Sequence, residues 1–227
     1  MRHLLIFLSF LFLSTSIFGQ ERLRKLENFT ELRVSGDITV QLYNGEGISA
    51  TVSVTTGEES DVKTDIENGT LRVQWKKNVN TNNRRATVKL YYDELEAIDA
   101  NAGAVVTTTK LLKAENLKIS ASSGSKLNLE INCATLEAKS NSGATISLKG
   151  ETGTQNVDVN SGASYKAADL VTKITNIEAS SGASAKVNVT GTISAESSTG
   201  ASIKYTGNPS TKDIEENKYS GGNVSSF

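Results

Sequence analysis

An all-β chain wound as a β-solenoid, with a repeat of about 19 residues and a less regular all-β segment before it, is the fold class predicted for this sequence. Three observations predict it. Glycines recur at Gly103, Gly124, Gly143, Gly162, Gly182 and Gly200, with gaps of 21, 19, 19, 20 and 18 residues. Each sits in a near-identical setting: NAGAV, SSGSK, NSGAT, NSGAS, SSGAS and STGAS. Around each one the residues alternate between apolar and polar, the period of a half-buried strand, and the three- and four-residue spacing of an amphipathic helix is missing.

Aligning the copies on their glycines separates the chemistry into columns. Five residues before stand Ile98, Ile119, Ala138, Val157, Ile177 and Ala195; three after stand Val106, Leu127, Ile146, Tyr165, Ala185 and Ile203. Two before stand only Asn and Ser: Asn101, Ser122, Asn141, Asn160, Ser180 and Ser198. One strand–turn–strand unit cannot cover its own apolar side, whereas stacked units share a continuous core. The glycine admits a positive φ or a close backbone approach. The small residue after it keeps the corner narrow, so that coils rise by the inter-strand distance of about 4.8 Å. Two or three short strands per coil are expected over residues 95–207, with ordinary antiparallel hairpins as the competing arrangement.

Upstream, residues 20–94 alternate less regularly, through Leu32 and Val34, Ile38 to Leu42, Ile48 to Val54, Leu71 to Trp75 and Ala86 to Tyr92. They read as an N-terminal β part, with antiparallel pairing allowed, joined continuously to the repeats. Residues 208–227 carry the only proline, Pro209, and then lose the alternation. They read as a C-terminal cap or a flexible tail. Residues 1–19 place Arg2 and His3 before an apolar run from Leu4 to Leu13 that turns polar toward Gly19. That is the shape of a secretory signal peptide, with an uncleaved membrane anchor as the rival. Export to the periplasm, the cell surface or the medium is therefore expected, without integration into a membrane.

Removal of Arg2 with the signal leaves 23 basic against 25 acidic side chains, a charge of −2, which gives no broad field for nucleic acid. His3 is the only histidine and Cys133 the only cysteine. Without His3 no histidine triad can form, and no Cys/His zinc site can form either. Cys133 lies in the strand-like LNLEINCATLEA and reads as a buried thiol.

Candidate functional residues are few. Asp158, Glu178 and Glu196 stand four residues before their glycines; Lys166, Lys186 and Lys204 stand four after. The acids are read as a solvated charge column, with a calcium ladder or a catalytic cleft as the sharper alternative. The lysines could relieve their mutual repulsion if the strands flanking each turn lie close together. Arg84 and Arg85 could meet an anionic glycan or phosphate, and Tyr91 and Tyr92 could frame a sugar ring. A solvated basic loop, and tyrosines divided between core and surface, are the plainer readings. No cofactor motif is present.

Taken together, LENFTELRVSGDITVQLYNGE, the Asn68–Val73 turn and strand, and the repeated Ser-Gly-Ala units resemble the head GIN domain family over about residues 26–206. Its members are exported Bacteroidetes proteins that carry an autotransporter-adhesin label and have no established function. The resemblance implies a β-helical fold, export to the periplasm or surface, and no catalytic residues to carry over. No membrane-barrel pattern follows the repeats, so self-translocation is not expected. The resulting expectation is a non-enzymatic exported module that contacts surface glycan or protein. A carbohydrate-active enzyme on a β-helix and a purely structural envelope protein are the alternatives.

Overall fold

The computed structural model describes residues 23–45, 47–77 and 84–227. The expected signal peptide lies outside them. In chain order the strands are β1 (Leu23–Lys25), β2 (Glu31–Ser35), β3 (Ile38–Asn44), β4 (Ser49–Val54), β5 (Val62–Glu67), β6 (Thr70–Trp75), β7 (Ala86–Tyr92), β8 (Ala97–Asn101) and β9 (Val105–Thr108). There follow β10 (Leu112–Ala121), β11 (Lys126–Ser140), β12 (Thr145–Val159), β13 (Ser164–Ala179), β14 (Ser184–Ser197), β15 (Ser202–Thr206), β16 (Thr211–Glu216) and β17 (Asn223–Ser226).

The repeats form a β-solenoid in parallel register. Ile119, Ala138, Val157, Ile177 and Ala195 are successive partners across β10 to β14. The residues read as inward-facing share one core: Val106, Leu127, Ile146, Tyr165, Ala185 and Ile203 are all buried, as are Ala104, Ala144, Ala163, Ala183 and Ala201 beside the corners. Strand length differs from expectation. From β11 to β14 each coil is one strand of 14 to 16 residues, and its register with the next coil shifts at irregularities between Ser147 and Lys149, Ala167 and Val171, and Thr172 and Ile174.

Each Ser-Gly corner is a β-turn with two left-handed residues. Ser161 has φ 52° and Gly162 φ 70°, and the Ala163 N–H donates to the Asn160 carbonyl at 3.1 Å. Positive φ at both central positions is the type I′ signature. Here it turns a coil rather than closing a hairpin, because the Gly162 N–H donates onward to Ser181 O of the next coil at 3.0 Å. A Cβ placed on Gly124, Gly143, Gly162, Gly182 or Gly200 meets nothing within 4 Å. The corner glycine is therefore needed for its φ and not for close approach. Close approach governs the opposite bend, where a Cβ on Gly153 would lie 2.7 Å from the Ala134 carbonyl oxygen and one on Gly191 2.6 Å from that of Lys173.

The N-terminal part is irregular in connection yet shares the ladders. β2 lies between β6 and β8, and β3 between β7 and β9, all in parallel. The chain thus lays down one coil, places the next outside it, and crosses back to begin the repeats. Antiparallel strands then cover the outer edge, β5 on β6 and β4 on β7, with β1 on β4. Covering an edge in this way removes a template for aggregation. Arg24 ties this cap together by donating to Val62 O at 2.7 Å and Glu59 O at 2.6 Å.

At the other end, residues 208–227 add a further rung despite their broken alternation: β16 pairs with β14 and β17 with β15. Inside the repeats sits a buried polar cluster. The Tyr165 hydroxyl donates to Gln155 Oε1 at 2.7 Å, Gln155 Nε2 donates to Thr175 Oγ1 at 2.9 Å, and the Thr172 and Thr175 hydroxyls lie 2.8 Å apart.

Cys133 is 5% exposed, and its thiol donates to Thr152 Oγ1 at 3.4 Å. Burial pushes its pKa up, as it does for Tyr92 and Tyr165. All three hold their protons in the folded state at pH values where the unfolded chain releases them. The associated stability is complete below about pH 9 and falls as pH rises beyond it. Denaturant titrations should show that alkaline decline, and iodoacetamide should modify Cys133 only after unfolding. Rapid labelling of the native protein, or stability unchanged to pH 11, would contradict this placement.

Candidate functional site

The solenoid offers two broad outward faces, one on each side of the corners. On the face built by the strands entering each corner, register aligns Lys139, Asp158, Glu178, Glu196 and Glu215 in one column. The column is acidic from Asp158 onward, and all four acids are exposed. A parallel column runs Glu137, Asn156, Asn176, Ser194 and Asp213, in which Asn176 Nδ2 donates to Asn156 Oδ1 at 2.8 Å. Alternation forces these positions outward, because Val157, Ile177 and Ala195 between the columns face the core.

Glu215 and Asp213 escape a reading that treats the tail as irregular. The signal was the period itself, since Glu215 follows Glu196 by 19 residues. An open depression runs over this face, lined by Glu137, Lys139, Asn156, Asp158, Glu178 and Glu196 among others. Among the described residues, no group of three or more His, Cys, Asp or Glu side chains is placed to hold a metal ion. Consecutive acids stand one rung apart along a line, whereas a cation needs ligands that converge.

Lys166, Lys186 and Lys204 also align, on the strands leaving each corner, between Ser147 and Ser225. The strands entering and leaving a corner both turn their apolar side chains into the one core, so the lysines and the acids point outward from different walls of the coil. The strands flanking a corner pair with their own equivalents rather than with each other. This corrects the expectation that the lysines relieve repulsion within the acidic column. Among the described residues no ion pair joins the two columns. The ion pairs on the entering face lie nearer the N-terminus, Lys118 to Glu137 at 3.4 Å and Lys139 to Glu137 at 3.5 Å.

The other candidates are scattered. Arg84 is engaged with Asp61, Nη1 to Oδ2 at 2.8 Å, where it braces the turn around Gly57. Arg85 is exposed, and its carbonyl accepts from the Thr55 N–H at 2.9 Å. Tyr92 is 3% exposed and packs in the core. Tyr91 faces outward and stacks on Tyr43, with ring centroids 5.1 Å apart and planes at 22°. That partner follows from the pairing of β3 with β7, which puts Tyr43 beside Tyr91. The arginines, Tyr91 and the acidic column therefore do not assemble into one site.

A family model described as "Putative auto-transporter adhesin, head GIN domain" matches residues 28–209. The chain belongs to this head GIN family. No characterised protein matches its sequence. Crystal structures similar to this chain include a "putative adhesin" from Bacteroides fragilis NCTC 9343 (17% identity, TM-score 0.79) and one from Parabacteroides merdae ATCC 43184 (18%, 0.70). A "putative lipid binding protein" from Parabacteroides distasonis ATCC 8503 is also similar (18%, 0.67). Each comparison covers 91% of this chain and 95% of the other. At such identities the likeness shows the shared fold. No helix among the described residues is long and apolar enough to cross a membrane.

Proposed function

We propose that this head GIN protein is an exported, non-enzymatic module of the cell envelope whose flat outward faces bind a surface glycan or protein. The observation that carries the reading is the regularity of those faces. Small polar and charged side chains repeat at one spacing over several coils, and among the described residues no convergent acidic pair stands apart from the repeat. The adhesin descriptions of the structural relatives support the same class of role, and the signal-like first 19 residues support export. Contact along such a face uses many modest interactions, each exposed ion pair contributing about 0.2–1 kcal/mol, so strong attachment comes from multivalency.

The test combines a glycan array with cross-linked pull-down from intact cells, using residues 20–227. Retention of a glycan or surface protein is expected, and it should weaken for Asp158→Ala/Glu178→Ala/Glu196→Ala or for Lys166→Ala/Lys186→Ala/Lys204→Ala at unchanged melting temperature. No retention in either format counts against the reading. Cleavage of any polysaccharide, lost on replacing an acidic residue without unfolding, would replace it with an enzyme.

A further inference from the structure

The two charge columns are complementary in sign, spacing and placement. Asp158 and Lys166, Glu178 and Lys186, and Glu196 and Lys204 stand four residues before and after Gly162, Gly182 and Gly200. Each acid and its lysine are therefore equally far along their strands from the same corner, on the outward sides of the two strands that the corner joins. Both columns climb by one rung per coil, about 4.8 Å. Asn156, Asn176 and Ser194 stand beside the acids and Ser164, Ser184 and Ser202 beside the lysines, and at the C-terminal end the Phe227 ring centroid lies 5.6 Å from Lys186 Nζ. None of these six charged groups has an ion-pair partner among the described residues. Within one molecule the core keeps the columns apart.

We propose that the partner of each column is the opposite column of a second copy, so that copies stack face to face with the lysine ladder of one on the acidic ladder of the next. With the solenoid axes parallel, seating the lysine face of one molecule on the acidic face of the next sets Lys166, Lys186 and Lys204 opposite Asp158, Glu178 and Glu196. Because both ladders keep the period of the backbone, a match at one rung is a match at all three. Like-charged faces repel, which excludes the face-to-face arrangement of a two-fold dimer. The contact is heterologous, so copies add head to tail, as a ring or an open row according to the angle between the two faces. Glu215 extends the acidic ladder by one rung beyond the lysines. The inference uses the same two faces as the proposed contact role and goes beyond it by naming a second copy as their occupant. An envelope protein that assembles in this way would present its remaining surface as an array.

Sedimentation velocity of residues 20–227 tests it with two charge-reversed variants, Lys166→Glu/Lys186→Glu/Lys204→Glu and Asp158→Lys/Glu178→Lys/Glu196→Lys. The unaltered protein should associate at low ionic strength and dissociate near 0.5 M salt, where screening shortens to about 4 Å. Each variant alone should associate at least about tenfold more weakly, and an equimolar mixture of the two should associate again, because one then carries two acidic faces and the other two basic ones. If a reversed variant fails to fold by circular dichroism, Lys186→Gln and Glu178→Gln serve instead, each expected to weaken association. A monomer at every salt concentration overturns the proposal, and so does association that is indifferent to these substitutions or a mixture no stickier than its components. These outcomes involve no glycan or foreign protein, so they are separable from failure of the proposed contact role.

Discussion

Gly150→Ala is expected to lower stability by about 3–4 kcal/mol, while Gly162→Ala, in a glycine of the repeated motif, costs only about 1 kcal/mol. Gly150 has φ 114°, a conformation that L side chains rarely adopt, and a Cβ there would press on the Ile131 carbonyl oxygen of the adjacent coil. That oxygen belongs to the backbone and cannot swing aside, so the two coils must separate where β11 and β12 pair. Gly162 shares the positive φ but opens onto free space. Thermal or urea unfolding of the two variants, with exposed Lys149→Ala as a control, measures the difference. Equal losses at Gly150 and Gly162 would mean that the coils are not packed backbone against backbone at this bend.

Gln155→Ala is expected to cost about 3 kcal/mol, most of it from partners left behind. The fully buried amide accepts from the Tyr165 hydroxyl and donates to Thr175, and Thr172 carries the network onward by donating to Asn188 O at 2.9 Å. Truncation strands a hydroxyl that burial keeps protonated and leaves a void between two coils. Tyr165→Phe should cost less, because it removes one donor and preserves the ring. The double variant should lose less than the sum of the two, since both changes break the same bond. Urea titration of the three proteins gives the coupling directly. Additive losses would show that Tyr165 and Gln155 are not partners in solution.

Much of this architecture is legible in the sequence because stacking repeats its chemistry. The apolar columns around Gly103 to Gly200 announce parallel coils, and Ile119 through Ala195 do become successive partners. Less legible is whatever depends on the neighbouring coil's backbone. Ser161 adopts a left-handed φ although nothing in its side chain requires one. Gly150 and Gly153 look like ordinary strand glycines until the Ile131 and Ala134 carbonyls stand over them. The order of the first coils is hidden as well, since alternation in β2 and β6 says that they are strands but not that β6 stacks outside β2.

Among the candidate residues, periodicity placed Asp158, Glu178 and Glu196 in one column but left open which side the lysines would face. That depends on whether a corner folds back as a hairpin or wraps around a core. The tail lost its alternation because its rung is the last described one, with Ile214 and Phe227 exposed, and only pairing with β14 and β15 shows it as a coil. Arg84 reads as a free basic residue in sequence because its partner, Asp61, lies 23 residues earlier.

Every surface described above depends on neighbouring coils carrying equivalent side chains side by side, and oxidative cross-linking reads that adjacency directly. Ser164 and Ser184 are register partners with hydroxyls 3.5 Å apart, and Ser184 is likewise paired with Ser202. Cα atoms one rung apart, at about 4.8 Å, fall within the span a disulfide allows, and atoms two rungs apart do not. Under mild oxidation, Ser164→Cys/Ser184→Cys and Ser184→Cys/Ser202→Cys should each form an intramolecular disulfide detectable by mass spectrometry, while Ser164→Cys/Ser202→Cys should stay reduced. Efficient closure of the Ser164→Cys/Ser202→Cys pair, or failure of both adjacent pairs, would contradict the stacked register from which both faces are built.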